Sequence, residues 1–171
     1  MKMKTFTVIL LLLTFCIFGK AQTREMFSDI PLISYCDLTD NAEKYDQQLI
    51  KVRAIYSRGF ESSILFDENC KNEKVSWIKF TSVYKKNTDS NLLKKFRRLM
   101  KGSSQKKPPE IEILIVGKFD GKRQISTIKT PVKTFTFSVG YGHDDAFDYQ
   151  INVIKLESVK TIREGKSKVF K

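Results

Sequence analysis

Few residues in this chain could do chemistry. Its single histidine, His143, sits in the run Gly140-Tyr141-Gly142-His143-Asp144-Asp145, with Asp148 close behind. Imidazole and carboxylate can hold a divalent metal or share general acid–base work. The spacing argues against both. There is no second histidine, adjacent side chains on an extended segment point apart, and no nucleophile or orienting partner is identifiable. A turn explains every residue of the run, because glycine supplies positive φ and aspartate caps backbone N–H groups. The expectation is therefore a turn, with no metal, no cofactor and no catalytic residue. Gly-rich phosphate loops, Ser-His-Asp spacing and paired catalytic carboxylates are missing as well.

The cysteines point to stability rather than reactivity. Cys16 lies in an apolar leader, and Cys36 and Cys70 form the remaining pair. In an exported domain such a pair reads as a disulfide. The loop it closes is long, worth ~3–4 kcal/mol in the chain-entropy model. A redox pair would call for a Cys-x-x-Cys arrangement, which these two lack.

Two surfaces could bind. One is a basic helix face with Lys94, Lys95, Arg97, Arg98 and Lys101, joined by Lys85, Lys86, Lys106 and Lys107. It suits an anionic ligand, and the competing use is a solvated face that keeps the protein soluble. The other is a set of aromatic and basic residues, Arg58, Phe60, Trp77 and Lys79, with Phe66 and Phe80 nearby in sequence. Such rings stack on bases or sugars. The competing fate is core filling, since thirteen phenylalanines must go somewhere.

These residues need elements to position them. The chain opens with Lys2 and Lys4, an apolar run over 6–18, and the small residues Gly19 and Ala21. This pattern predicts a signal peptide over 1–21, cleaved before Gln22. Lipidation at Cys16 would require a small residue before it, and Phe15 stands there. The run is also short for a permanent anchor. Loss of Lys2, Lys4 and Lys20 with no acid lowers the formal charge from +12 to +9. The mature chain stays basic, so its expected address is periplasmic or secreted. Its expected partners are an anionic envelope glycan or membrane surface, ahead of nucleic acid.

Residues 22–33 show no period and read as a lead-in. Ser34–Gln48 reads as one or two helical turns. Leu49–Cys70 then reads as two strands around Arg58-Gly59, with Ile50, Val52, Ala54 and Tyr56 alternating against Lys51 and Arg53. Val75–Ser82 is a third strand. Asp89–Gly102 is an amphipathic helix with Leu92, Leu93, Phe96, Leu99 and Met100 on one face, capped by Asp89 or Ser90 and stopped at Gly102. Ile111–Lys118 is apolar on both sides and reads as a central strand. Gln124–Lys129 and Lys133–Val139 could pair as an inserted hairpin. Phe147–Ser158 is the last strand, and its inward phase slips after Val153, which suggests a bulge. Residues 165–171 form a basic tail.

Three strands, a helix and two more strands is the order of an OB-like barrel, a small five-stranded Greek-key barrel. The helix lies between strands 3 and 4, and here a hairpin is inserted before the last strand. The domain is expected over 34–164. Another small α+β domain with an antiparallel sheet is the runner-up. The phrases Cys36-Asp37-Leu38, Asn41-Ala42-Glu43-Lys44-Tyr45-Asp46, Val52-Arg53-Ala54-Ile55-Tyr56, Gly59-Phe60-Glu61, Leu65-Phe66-Asp67 with Cys70, and Gly140-Tyr141-Gly142-His143 carry a family resemblance. They resemble a set of small exported bacterial proteins with an OB-like domain. The resemblance spans most of 34–159 and implies fold and address, but no activity. Lys122–Ser138 departs from it by being longer and more basic. The expected function is an exported binding or structural module for an anionic glycan or lipid headgroup. A protein-interaction domain using a sheet edge or the 122–145 insertion is the alternative, and a hydrolase with an unrecognised site is the second.

Overall fold

In the computed structural model, residues 27–59, 62–101 and 110–162 are described. The leader over 1–21, Phe60, the Gly102 stop, Lys106, Lys107 and the 165–171 tail lie outside them. The chain divides into two units, Met1–Pro31 and Leu32–Lys171. Of the first, the described residues begin at Phe27 and form a turn.

The second unit runs β1 (Leu32–Ser34), α1 (Tyr35–Asp40), α2 (Ala42–Tyr45), β2 (Leu49–Arg58), β3 (Ser63–Phe66) and β4 (Ser76–Phe80). It continues with α3 (Tyr84–Asn87), α4 (Ser90–Lys101), β5 (Glu110–Asp120), β6 (Gln124–Lys129), β7 (Thr134–Val139) and β8 (Tyr149–Thr161). Strand β2 pairs antiparallel with β3 on one side and with β5 on the other. The remaining pairs, β3–β4, β4–β8 and β8–β5, close the ring. Only β4–β8 is parallel among these five. This is the five-stranded OB-like barrel, with helices α3 and α4 between its third and fourth strands and the β6–β7 hairpin before its last.

The alternation expected in β2 is present, with Ile50, Val52, Ala54 and Tyr56 buried. Ile111, Ile113 and Ile115 of β5 meet them from across the barrel as part of one continuous core. Strand β8 keeps its inward face by bulging twice. Its register with β5 shifts between Leu114 and Ile115 and again between Val116 and Gly117, leaving Glu157 and Ile154 as the extra residues. Each bulge turns a step of two into a step of three, so Ile151, Val153, Leu156 and Val159 all point inward. Gly117 permits the close approach at the second shift, since a Cβ there would lie 2.7 Å from the Asn152 carbonyl oxygen. The sequence showed the slip after Val153 but not the one after Leu156.

The register also assigns the ends of the barrel. Ser57 faces Glu110 and Ile111 faces Thr161 at one end. Here α4 packs, with buried Phe96 5.8 Å from the Tyr56 ring and 5.5 Å from Phe80. Asp89 caps this helix, its Oδ1 accepting from the Asn91 and Leu92 N–H groups at 2.9 and 3.0 Å. The short α3, not anticipated from sequence, adds Tyr84 against Phe80 at 4.9 Å.

At the other end sit α1 and α2, with Tyr35, Leu38, Ala42 and Tyr45 in the core. The expected helical turns over 34–48 are these two, the first capped by Ser34 Oγ accepting from the Asp37 N–H at 3.0 Å. Leu32 and Ile33 of the lead-in form a strand with Ser34, contrary to the loose segment expected. β1 pairs in parallel with Lys51–Arg53 of β2, and three residues are too few to show a period. The Cys36–Cys70 disulfide ties α1 to the loop after β3 across 34 residues.

Tyr35 anchors this end. Fully buried, its hydroxyl donates to the Leu65 carbonyl at 2.7 Å and is hydrogen-bonded to Ser76 Oγ at 2.8 Å. Tyr35→Phe removes a group these two buried atoms rely on. It is expected to lower stability by about 1–3 kcal/mol in denaturant titrations at unchanged m-value. A change within error would show that water replaces the hydroxyl.

Candidate functional site

Along β4 the side chains alternate. Ser76 and Ile78 are buried inward, Trp77 is half-buried on the outer face and Lys79 is exposed. Trp77 lies opposite Ile64 on β3 and Gln150 on β8. This is the outer face where OB-like barrels take ligands, but the protein's own chain already meets the indole there. The Phe147 ring lies 5.4 Å from it, tilted by 43°. Gly142 has φ +77°, and a Cβ on it would come within 2.5 Å of the indole Cε3.

The segment over 140–148 is thus a clasp on the tryptophan. Tyr141 and Phe147 close it with a pair of backbone hydrogen bonds at 2.8 and 3.2 Å. A single 3-10 turn over His143–Asp145 spans the bend, and Asp144 and Asp145 both take positive φ. Tyr141 is buried, and its hydroxyl donates to the Lys122 carbonyl at 2.6 Å. Arg123 Nε holds Asp148 Oδ1 at 2.5 Å. His143 is exposed, with Nδ1 2.8 Å from Asp144 Oδ2. The run Gly140–Asp145 is therefore built as the turn expected.

A polar network missed from sequence supports the clasp. Asp120, at the end of β5, accepts from Gln47 Nε2 (2.9 Å), Gln150 Nε2 (3.1 Å) and Asn152 Nδ2 (2.7 Å). Asp46 Oδ1 accepts from the Gly121 N–H at 2.8 Å. In sequence only the turn at Asp120-Gly121 was visible. The partners come from α2's flank and β8, with no local signal linking them.

The other aromatic and basic residues named from sequence scatter. Arg58 is exposed at the end of β2, opposite Ser63, with β3 between it and Trp77. Phe66 is buried, and Phe80 packs among Tyr56, Tyr84 and Phe96. Core filling took both.

The basic face of α4 is intact. Lys94, Lys95, Arg97, Arg98 and Lys101 are all exposed, whereas Leu93 and Phe96 are buried. No acidic residue occurs within the helix. Among the described residues none of the five forms an ion pair. Several other cations differ in this respect: Lys51 and Lys155 reach Glu157 at 3.5 and 3.1 Å, Arg53 reaches Glu112 at 3.1 Å and Lys74 reaches Asp40 at 3.0 Å.

Two clefts also lie among the described residues. One of about 520 Å³ lies beside the Arg53–Glu112 pair and is lined also by Leu32, Tyr35 and Asp67. The other, about 680 Å³, holds Asp40, Glu43, Lys44, Lys74 and Lys122. The hydrogen bond from Lys74, with a second from Asn72, holds the Asp40 carboxyl below its usual range. Neither cleft pairs a nucleophile with a base. Among the described residues, one grouping of metal-ligand types occurs, Cys36, Asp67 and Cys70. Its sulfurs are joined in the disulfide, which removes the thiolates a metal would bind.

Two predictions follow from the clasp and the buried phenols. Gly142→Ala places a methyl group against the indole at a backbone angle alanine tolerates poorly. Stability is expected to fall by about 1–3 kcal/mol, and emission from Trp77, the only tryptophan, should move to the red. Unchanged emission would mean the clasp does not cover the indole. Burial pushes up the phenols of Tyr35, Tyr56 and Tyr141, the last to about 12. The unfolded chain loses these protons near pH 10 while the fold retains them. Stability is therefore full below pH 10 and is lost as pH rises toward 12 and beyond. Tyrosinate absorbance should show three of the six tyrosines ionising only as the fold is lost; ionisation of all six near pH 10 with the circular dichroism intact would contradict this.

Comparison of the chain with protein-family models, with curated proteins and with solved structures finds no match in any of the three.

Proposed function

We propose that the chain is an exported OB-like module that binds an anionic ligand through the outer face of α4, without a catalytic step. The ligand class is a phosphate- or carboxylate-bearing envelope glycan or lipid headgroup. The observation that carries this is the contrast in charge pairing. Lys51, Arg53, Lys155 and Lys160 of the barrel sit against carboxylates, and Arg58, Lys79 and Lys118 are single charges on three different strands, while among the described residues the five cations of α4 stand together with no ion pair. Solubility does not require that segregation, because mixed charge serves it as well. Five like charges on one helix repel one another, a cost that an approaching polyanion offsets.

The helix is also a rigid platform. Its apolar face is fixed on the barrel core by Phe96, with Leu92 and Leu99 packed against it, and its first turn by Asp89. The disulfide, which closes the far end of the barrel, is of the kind that persists in oxidising compartments. No helix among the described residues is long and apolar enough to cross a membrane.

The test is binding of the exported protein to heparin, to single-stranded DNA and to phosphatidylglycerol vesicles at two salt concentrations. Affinity is expected to drop by about tenfold or more between roughly 50 and 200 mM salt. Changing Lys94, Lys95, Arg97 and Arg98 together to Gln should weaken binding by a similar factor and leave the melting temperature in place. Binding that ignores salt, or that survives the fourfold change, would overturn the reading.

A further inference from the structure

The β6–β7 hairpin forms a two-stranded sheet of its own, separate from the six-stranded one. Such a hairpin is marginal in water unless something covers an apolar side. Yet four of its apolar residues are exposed. Val132 is 95% exposed, Ile125 77%, Ile128 53% and Phe135 49%. Ile128 and Phe135 are directly opposite each other across the two strands. Val132 stands at the apex of the connecting turn. That turn is held closed by Thr130, whose N–H and Oγ1 both donate to the Lys133 carbonyl at 2.9 and 2.7 Å.

The charges on this element are all of one sign. Residues 122–139 contain Lys122, Arg123, Lys129 and Lys133 and no acidic residue. Lys129 and Lys133 flank the apex, and the Lys133 ammonium lies 5.4 Å from the centre of the Phe135 ring. An apolar tip with cations just behind it matches the layering of a bilayer surface. Apolar groups enter the acyl boundary while lysine stems reach back to the anionic headgroups. We propose that the β6–β7 hairpin is a wedge that inserts Val132, Ile128 and Phe135 into the interface of an anionic phospholipid bilayer.

Charge favours this occupant over a second copy of the chain, because two hairpins meeting tip to tip would bring four cations, Lys129 and Lys133 of each, together. The shape agrees, since a convex apex seats in a deformable layer better than against another convex tip. The inference rests on the apolar tip and stands apart from the α4 face. The hairpin follows the end of β5 at Asp120, whereas α4 packs at its start.

The experiment places a tryptophan at the apex, Val132→Trp, in the exported protein and mixes it with vesicles whose acyl chains are brominated. With phosphatidylglycerol present, the added fluorescence should shift to the blue and be quenched to less than about half. With phosphatidylcholine alone it should stay unquenched. Adding Ile128→Asp and Phe135→Asp in that background should abolish the quenching, with an unchanged melting temperature showing that the barrel is intact. Adding the four Gln changes in α4 instead should weaken capture by the vesicles yet leave the apex quenched in whatever protein is bound. An apex that stays unquenched in vesicle-bound protein overturns the wedge and leaves the α4 reading standing. Burial of the apex without lipid, with a dimer or a protein partner in sedimentation, overturns it in favour of that occupant. Quenching that ignores the α4 changes, together with salt-insensitive capture, would sink the α4 reading alone.

Discussion

Strand β2 has no free edge, and the rest of the barrel depends on that. One side is shared between β1 at Lys51–Arg53 and β3 at Ile55–Arg58, and β5 takes the other from Leu49 to Ser57. A strand paired on both sides and buried on one face cannot slip by one residue. A slip would turn Ile50, Val52, Ala54 and Tyr56 out to water and Lys51 and Arg53 into the core. Fixing β2 fixes β5, and β5 fixes β8 across the longest antiparallel pairing of the ring. Closure then asks β8 to bend, which explains why both bulges fall in that strand and why Gly117 faces one of them.

Closure also leaves two open ends, and the chain seals them differently. At one, α4 supplies Phe96 to a ring of aromatics. At the other, two short helices supply Tyr35, Leu38 and Tyr45, and such short helices contribute little stability of their own. The disulfide is placed where it compensates, joining α1 to the loop after β3. The buried Tyr35 hydroxyl does the same work by hydrogen bonding to β3 and β4.

What was legible in the sequence follows from how local each signal is. The alternation of β2, the Asp89 cap, the apolar face of α4 and the pairing of β6 with β7 are short-range patterns, and they led directly to the barrel. The phase slip after Val153 is as local, and it marked a bulge. Strand β1 escaped because its three residues carry no period. The second bulge escaped because only the register with β5 reveals it. Trp77 shows the limit most clearly. Its ring packs on Gly142 and Phe147, about 65 and 70 residues further along the chain. The same Gly142 could be assigned to a turn from its neighbours, but nothing local says which ring the turn covers. The basic face of α4 was readable as a face. Its lack of carboxylate partners among the described residues depends on where Glu112 and Glu157 end up, and that is decided by the sheet.

Those partners explain why charge divides as it does. The sheet brings Glu157 of β8 and Glu112 of β5 beside Lys51 and Arg53 of β2, so charge is balanced at those two places on the barrel wall. Helix α4 and the hairpin lie at opposite ends of β5, which spans eleven residues. At ~3.3 Å per residue that is roughly 35 Å, several times the ~8 Å screening length of physiological salt. The two basic ends are therefore separate electrostatic features, without a shared field. On the reading proposed above, a ligand that draws on both must be long or flat on the scale of the whole barrel.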